Sequence, residues 1–125
     1  MPAEDRRARV MVLDDNRDAA TVLAMFLRRN GFDAEAVHNS SDAIAVAERF
    51  QPDCLITDIG MPGMDGCKVA RTFRAHLTLR HIALIALTAY EDNEQVRAAG
   101  FNHHLLKPAQ GPDVIRLLRS LLPAV

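Results

Sequence analysis

Short apolar runs alternate along this chain with stretches whose apolar positions recur at every third or fourth residue. Val10-Met11-Val12-Leu13, Cys54-Leu55-Ile56, Ile82-Ala83-Leu84-Ile85-Ala86-Leu87 and Leu105-Leu106 are continuous runs, the pattern of strands covered on both faces. Residues 32–38 read as a further short strand. Between the strands, Ala19, Val22, Leu23, Phe26 and Leu27 predict the buried stripe of a first helix, stopped by Asn30-Gly31. Ser40 or Ser41 is placed to cap a second helix that buries Ala43, Val46, Ala47 and Phe50 and ends at Gln51-Pro52. Val69, Phe73 and Leu77 mark a third helix, and residues 91–99 a fourth with little apolar anchoring, ended by Gly100. The last helix has Pro112 in its first turn and a stripe of Val114, Leu117, Leu118, Leu121 and Leu122. Strand and helix thus alternate five times. Strands joined by helical crossovers run parallel, so the expected fold is α/β, a (βα)5 doubly wound three-layer sandwich around a five-stranded parallel sheet.

Four of the strands stop at polar residues of different chemistry. The first ends at Asp14-Asp15, the third at Asp58, the fourth at Thr88 and the fifth at Lys107-Pro108. On a parallel sheet all of these lie at the carboxyl edge, where open α/β sheets place their ligand sites. Each has an ordinary explanation of its own. Asp14 or Asp15 would cap the first helix, Asp58 would start a turn, Thr88-Ala89-Tyr90-Glu91 fits a capping box, and Lys107 would be a solvated lysine. None of these explains the set. Adjacent acids repel by about 1–4 kcal/mol, depending on screening, and a bound cation removes that cost. Three carboxylates facing one small cavity suit Mg2+, which prefers oxygen ligands. Asp58, ending a nearly apolar run, is the candidate nucleophile for an acyl phosphate. Lys107 is placed to meet a phosphate oxygen, and the bond to Pro108 is a candidate for the cis form.

The chain has 125 residues, 49% hydrophobic and 25% charged, which suits a single domain spanning 1–125, with residues 1–7 a flexible tail. A net charge of −1 provides no basic field, so neither direct nucleic-acid binding nor attraction to anionic membrane is expected. No apolar stretch is long enough to insert into a membrane, and the polar start lacks a signal-peptide segment, so the expected location is cytoplasmic. Cys54 and Cys67 have no paired spacing and are expected to be free thiols.

Leu13-Asp14-Asp15-Asn16, the stretch Thr57-Asp58-Ile59-Gly60-Met61-Pro62-Gly63-Met64-Asp65-Gly66, Leu87-Thr88-Ala89 and Leu106-Lys107-Pro108 together resemble the response regulator receiver domain of two-component phosphorelays, over nearly the whole chain. The resemblance implies the flavodoxin-like strand order 2-1-3-4-5. It also implies that Asp58 accepts a phosphoryl group from a sensor histidine kinase or a histidine phosphotransfer protein, in a Mg2+-dependent reaction. Asp15 and Asp58 would bind Mg2+ directly, Asp14 through a water, and Gly60 through its backbone carbonyl. Thr88 and Lys107 would bind phosphoryl oxygens, and small Ala89 would leave room beside them. The switch residues would be Thr88, His104, where the family often has Tyr or Phe, and Tyr90 at the pocket rim. The face of the fourth helix, fifth strand and fifth helix would then engage a protein target. Such a protein is not an enzyme but a signalling phosphoprotein that assists its own phosphorylation and dephosphorylation. It would be a monomer or a weak, phosphorylation-dependent dimer. Residues 100–108 are similar to receivers attached to hybrid sensor kinases, so the chain reads either as an excised domain or as a stand-alone regulator without an output module.

Three other readings compete. A phosphohydrolase resembling the haloacid dehalogenase group also uses a strand-end Asp, Thr, Lys and Mg2+, but it needs a second Asp where this chain has Gly60. A flavodoxin-like FMN carrier needs a Ser/Thr/Gly-rich phosphate loop after the first strand, and Asp14-Asp15 stands there instead. A receiver-like module acting through contacts alone would not need the full acid set. His103-His104 shows no zinc spacing with His38, His76 or His81, and a vicinal pair on a strand is expected to send one ring inward and one outward.

Overall fold

A computed structural model describes residues 7–61, 64–89 and 94–122. Tyr90, Glu91, the Pro62-Gly63 part of the loop after the third strand, and residues 1–6 of the expected tail lie outside the described residues. The elements run β1 (Arg9–Leu13), α1 (Arg17–Arg29), β2 (Asp33–Val37), α2 (Ala43–Phe50), β3 (Cys54–Asp58), α3 (Gly66–Ala75), β4 (Ala83–Thr88), α4 (Glu94–Ala98), β5 (His103–Leu106) and α5 (Gly111–Leu121). A two-residue antiparallel ladder, Gly60–Met61 with Met64–Asp65, folds the chain back between β3 and α3.

All neighbours in the main sheet are parallel, in the order β2-β1-β3-β4-β5. The expected sandwich and strand order are both present. Strand periodicity divides the core in two. Val10, Val12, Cys54, Ile56, Ile85 and Leu87 pack with Ala20, Ala24 and Leu27 of α1 and Val114, Ile115 and Leu118 of α5. Met11, Leu13, Leu55, Leu84 and Ala86 pack with Ala43 and Ala47 of α2, Val69 and Phe73 of α3, and Val96 of α4. With helices on both faces, every residue of β3 is buried. Cys54 and Cys67 are not joined by a disulfide, as expected, and both are buried.

Several local expectations are corrected. In α1 the buried residues are Ala20, Ala24 and Leu27, with Leu23 and Phe26 partly buried, whereas Ala19 is exposed and Val22 is 66% exposed. Ala20 and Ala24 face the sheet, and Val22, two residues from each and so about 200° around the helix, faces outward. Neither Asp14 nor Asp15 caps this helix. Asn16 does, its side chain accepting from Ala19 N at 3.1 Å. Asn39, rather than Ser40 or Ser41, caps the short 3-10 turn Ser40–Asp42 that leads into α2, accepting from Asp42 N at 3.0 Å, and α2 itself has no side-chain cap. Leu77 lies beyond the end of α3 and is exposed. His103 and His104 are both exposed, because β5 is an edge strand with thin cover, so no inward histidine exists there.

Candidate functional site

Parallel pairing brings the carboxyl ends of β1, β3, β4 and β5 to one side of the molecule. Backbone bonds crossing those ends fix their relative heights. Asp14 N donates to Val37 O at 3.0 Å, Ile59 N to Leu87 O at 3.2 Å, and Lys107 N to Thr88 O at 2.9 Å. Asp58 and Thr88 are the last residues of β3 and β4, Asp14 follows β1 directly, and all three are buried polar residues. Asp15 is exposed at the mouth.

The side chains converge as well. One carboxylate oxygen from each of Asp14, Asp15 and Asp58 lies within 4.8 Å of the others, a grouping that could hold a metal ion. Lys107 Nζ sits 2.6 Å from Asp58 Oδ2, and the other oxygen of Asp58 accepts from Gly60 N at 3.1 Å. Asp14 Oδ1 accepts from Asn16 N at 3.0 Å. Asn16 therefore both caps α1 and fixes the Asp14 carboxylate. The sequence reading did not assign it a role, although an Asn between two acids and a helical stripe is a cap signal. Thr57 is buried, and its hydroxyl donates to Asp58 O at 3.1 Å, steadying the backbone behind the carboxylate. The Lys107-Pro108 bond is cis.

The electrostatics follow from this geometry. Burial pushes the Asp14 carboxyl above its ordinary value, and the charge of Asp58 and a side-chain hydrogen bond with Asp15 push the same way. The Asn16 N–H and the Lys107 ammonium pull it down. Anionic oxygens held close together in partial burial fit a divalent cation. Magnesium holds oxygens at about 2.0–2.1 Å, so ligands around one ion are about 3–4 Å apart, a modest closing of the observed grouping. Among the described residues this is the only such cluster of His, Cys, Asp or Glu.

The acids and Lys107 line an open cleft of about 870 Å3 together with the apolar side chains of Val22 and Phe26 of α1 and Pro112. The site thus has a charged floor and an apolar shelf. Gly66 brings α3 against the floor, since a Cβ there would stand 2.5 Å from Asp58 O. Of the expected switch residues, Thr88 lies at the site edge of β4, His104 is exposed on β5, and Tyr90 is outside the described residues.

Comparison with known proteins agrees with this geometry. The family model described as the response regulator receiver domain matches residues 10–119. An uncharacterised 14.6 kDa protein of Leptolyngbya boryana is 33% identical over 114 residues, covering 89% of this chain and 87% of that protein. The DNA-binding response regulator MtrA of Mycolicibacterium smegmatis is 29% identical over 116 residues, covering 93% of this chain but only 51% of MtrA, so the chain spans about half of that relative's length. The chemotaxis response regulator CheY4 of Vibrio cholerae has the same fold, with a TM-score of 0.87 at 22% identity over 94% of this chain and all of that one. The chain belongs to the response regulator receiver domain family, the phosphoacceptor module of two-component signalling.

Proposed function

We propose that this protein is the receiver of a two-component phosphorelay and that Asp58 is its phosphoacceptor. The observation that carries the reading is the pairing of a three-carboxylate cluster with a lysine ammonium 2.6 Å from one of its members. A structural ion pair needs one acid, and a helix cap needs one. An anionic cluster with its own cation at the rim is suited to a ligand that carries both a metal and a phosphoryl group.

In this reading an Asp58 carboxylate oxygen attacks the phosphorus of a phosphohistidine. The new P–O bond forms as the P–N bond breaks, and the electron pair leaves with the imidazole nitrogen of the donor. Asp15 and Asp58 would hold Mg2+ directly, Asp14 would hold it through water, and the Gly60 carbonyl would complete the protein's share. When bound, the ion neutralises the carboxylates and spreads charge from the phosphoryl oxygens. Lys107 exchanges its bond to Asp58 for one to a phosphoryl oxygen, and the Thr88 hydroxyl takes another. The apolar shelf of Val22, Phe26 and Pro112 gives a protein donor, a sensor histidine kinase or a phosphotransfer protein, a surface to seat against.

The added phosphate brings about −1.5 to −2 charges. Drawing Thr88 and Lys107 toward it moves the ends of β4 and β5, with His104 and Tyr90 responding. The α4-β5-α5 face then changes its affinity for a protein target. The protein acts in the cytoplasm as a signalling module and not as a turnover enzyme. The test is intact-mass measurement after incubation with phosphoramidate and Mg2+. The wild type is expected to gain one phosphoryl group, Asp58→Asn none, and a chelator to stop the labelling. Labelling of Asp58→Asn, or turnover of a simple phosphomonoester, sinks the reading.

A further inference from the structure

β5 is the strand whose position core packing explains least. It lies at the sheet edge and pairs with β4 alone, and of its residues His103, His104, Leu105 and Leu106 only Leu105 packs against a core cluster. A strand is held in register mainly by the face it buries, and this one buries almost none. Register matters here, because Lys107 follows β5 directly and reaches Asp58 at 2.6 Å. A slip of one residue would carry the lysine about 3.3 Å along the strand and turn every side chain to the other face.

The opposite end of β5 carries a polar lock. Asn102 N donates to Leu84 O at 2.8 Å, and Leu84 N donates back to Asn102 Oδ1 at 2.7 Å, so one asparagine takes both backbone groups of a single β4 residue. The same Oδ1 accepts from Arg74 Nη2 at 2.8 Å. Two N–H donors converging on one amide atom require that atom to be the oxygen.

Arg74, in the last turn of α3, spends its whole fork on neighbouring carbonyls. Nε and Nη2 bond Gly100 O at 2.9 and 2.8 Å, while Nη1 bonds Arg80 O at 2.8 Å and Ile82 O at 2.7 Å. With the bond to Asn102, five N–H groups meet carbonyl oxygens from two segments of chain, 80–82 and 100–102. The turn before β5 is shaped around this side chain. Gly100 has φ +102°, and a Cβ there would stand 2.9 Å from Arg74 Cγ.

We infer that Arg74 and Asn102 are positioning residues that fix β5 in the register on β4 which delivers Lys107 to Asp58. They act from about 16 Å away along the strand, the span of five extended residues. The role rests on the function proposed above for what Lys107 does at the site, whereas the lock itself is a property of the unphosphorylated protein. Asn102→Asp keeps the oxygen that both donors need. Asn102→Ala removes it, and Arg74→Lys keeps the charge but loses the planar fork.

Two measurements test the inference. Amide hydrogen exchange of the unphosphorylated protein reads the lock. Asn102→Ala and Arg74→Lys should each speed exchange at Leu105 and at Lys107, whose N–H bonds Thr88 O, by at least tenfold. The β1 and β3 amides should stay protected, and Asn102→Asp should behave as the wild type. Labelling by phosphoramidate with Mg2+ reads the connection to the site. Both disruptive variants should shift the labelling rate in the direction that Lys107→Ala shifts it, and should add nothing further in a Lys107→Ala background. Wild-type protection of β5 in both variants overturns the lock. A rate effect that persists undiminished without Lys107 overturns the positioning role. If the wild type itself takes no phosphoryl group, it is the proposed function that fails, and the exchange measurement still decides the lock.

Discussion

Replacing Asp14 by Asn should make this protein more stable and less able to use Mg2+. Asn preserves the shape of the side chain and the Oδ1 that accepts from Asn16 N at 3.0 Å, so the substitution removes charge and little else. Asp14 has carboxylate neighbours, Asp15 and Asp58, within 4.8 Å. A pair of unit charges at that distance repels by about 3.5 kcal/mol at an effective dielectric of 20 and about 0.9 kcal/mol in water. Asp15 is exposed and therefore screened, and Lys107 offsets part of the Asp58 charge. A net gain of about 1–2 kcal/mol is expected at neutral pH in chelator, or roughly 4–8 °C in Tm for a chain of this length. Urea unfolding followed by circular dichroism is the suitable assay, since the chain has no tryptophan.

The pH dependence has a definite sign. Burial raises the folded-state pKa of Asp14 above its ordinary 3.8, so the unfolded chain releases this proton more easily. The stability associated with that proton is fully present below 3.8 and is lost as pH rises through the folded value. The advantage of Asp14→Asn over the wild type should therefore shrink as pH falls through that window. Adding Mg2+ should stabilise the wild type more than the variant. If Asp14→Asn is no more stable than the wild type in chelator, or gains as much from Mg2+, the account of the site as a strained anionic cluster is wrong.

Two further outcomes follow from single contacts. Lys107→Ala removes the ammonium 2.6 Å from Asp58 but none of the carboxylates, so labelling by phosphoramidate should persist at an altered rate while the response to a bound target is lost; complete loss of labelling in a folded variant would give this lysine a different role. Gly66→Ala would place a Cβ 2.5 Å from Asp58 O and 2.9 Å from Ile59 Cα, both backbone atoms that cannot rotate away. Overpacking of this kind costs about 1–3 kcal/mol, offset by up to about 1 kcal/mol of helix preference, so thermal unfolding should show net destabilisation together with slower labelling of Asp58; a variant as stable and reactive as the wild type would show that α3 shifts freely.

The sequence by itself determined the alternation of strand and helix and the four strand ends that carry Asp14-Asp15, Asp58, Thr88 and Lys107. Those features are local. Continuous apolar runs mark strands covered on both faces, and a polar residue at the end of each run is visible without any knowledge of its neighbours. What lies between distant segments was decided by the tertiary structure. Helical spacing pointed to Val22 as a buried residue of α1, but the helix turns Ala20, Ala24 and Leu27 to the sheet, and Val22 became part of the apolar shelf beside the acids. The histidine pair was expected to straddle a covered strand, yet strand order put it on an edge. Nothing in the sequence marks Arg74 among the other arginines of the chain. Only the fold gathers the carbonyls of Arg80, Ile82 and Gly100 and the amide of Asn102 around it, because hydrogen-bond partners far apart in the chain are chosen by packing and leave no periodic trace along it.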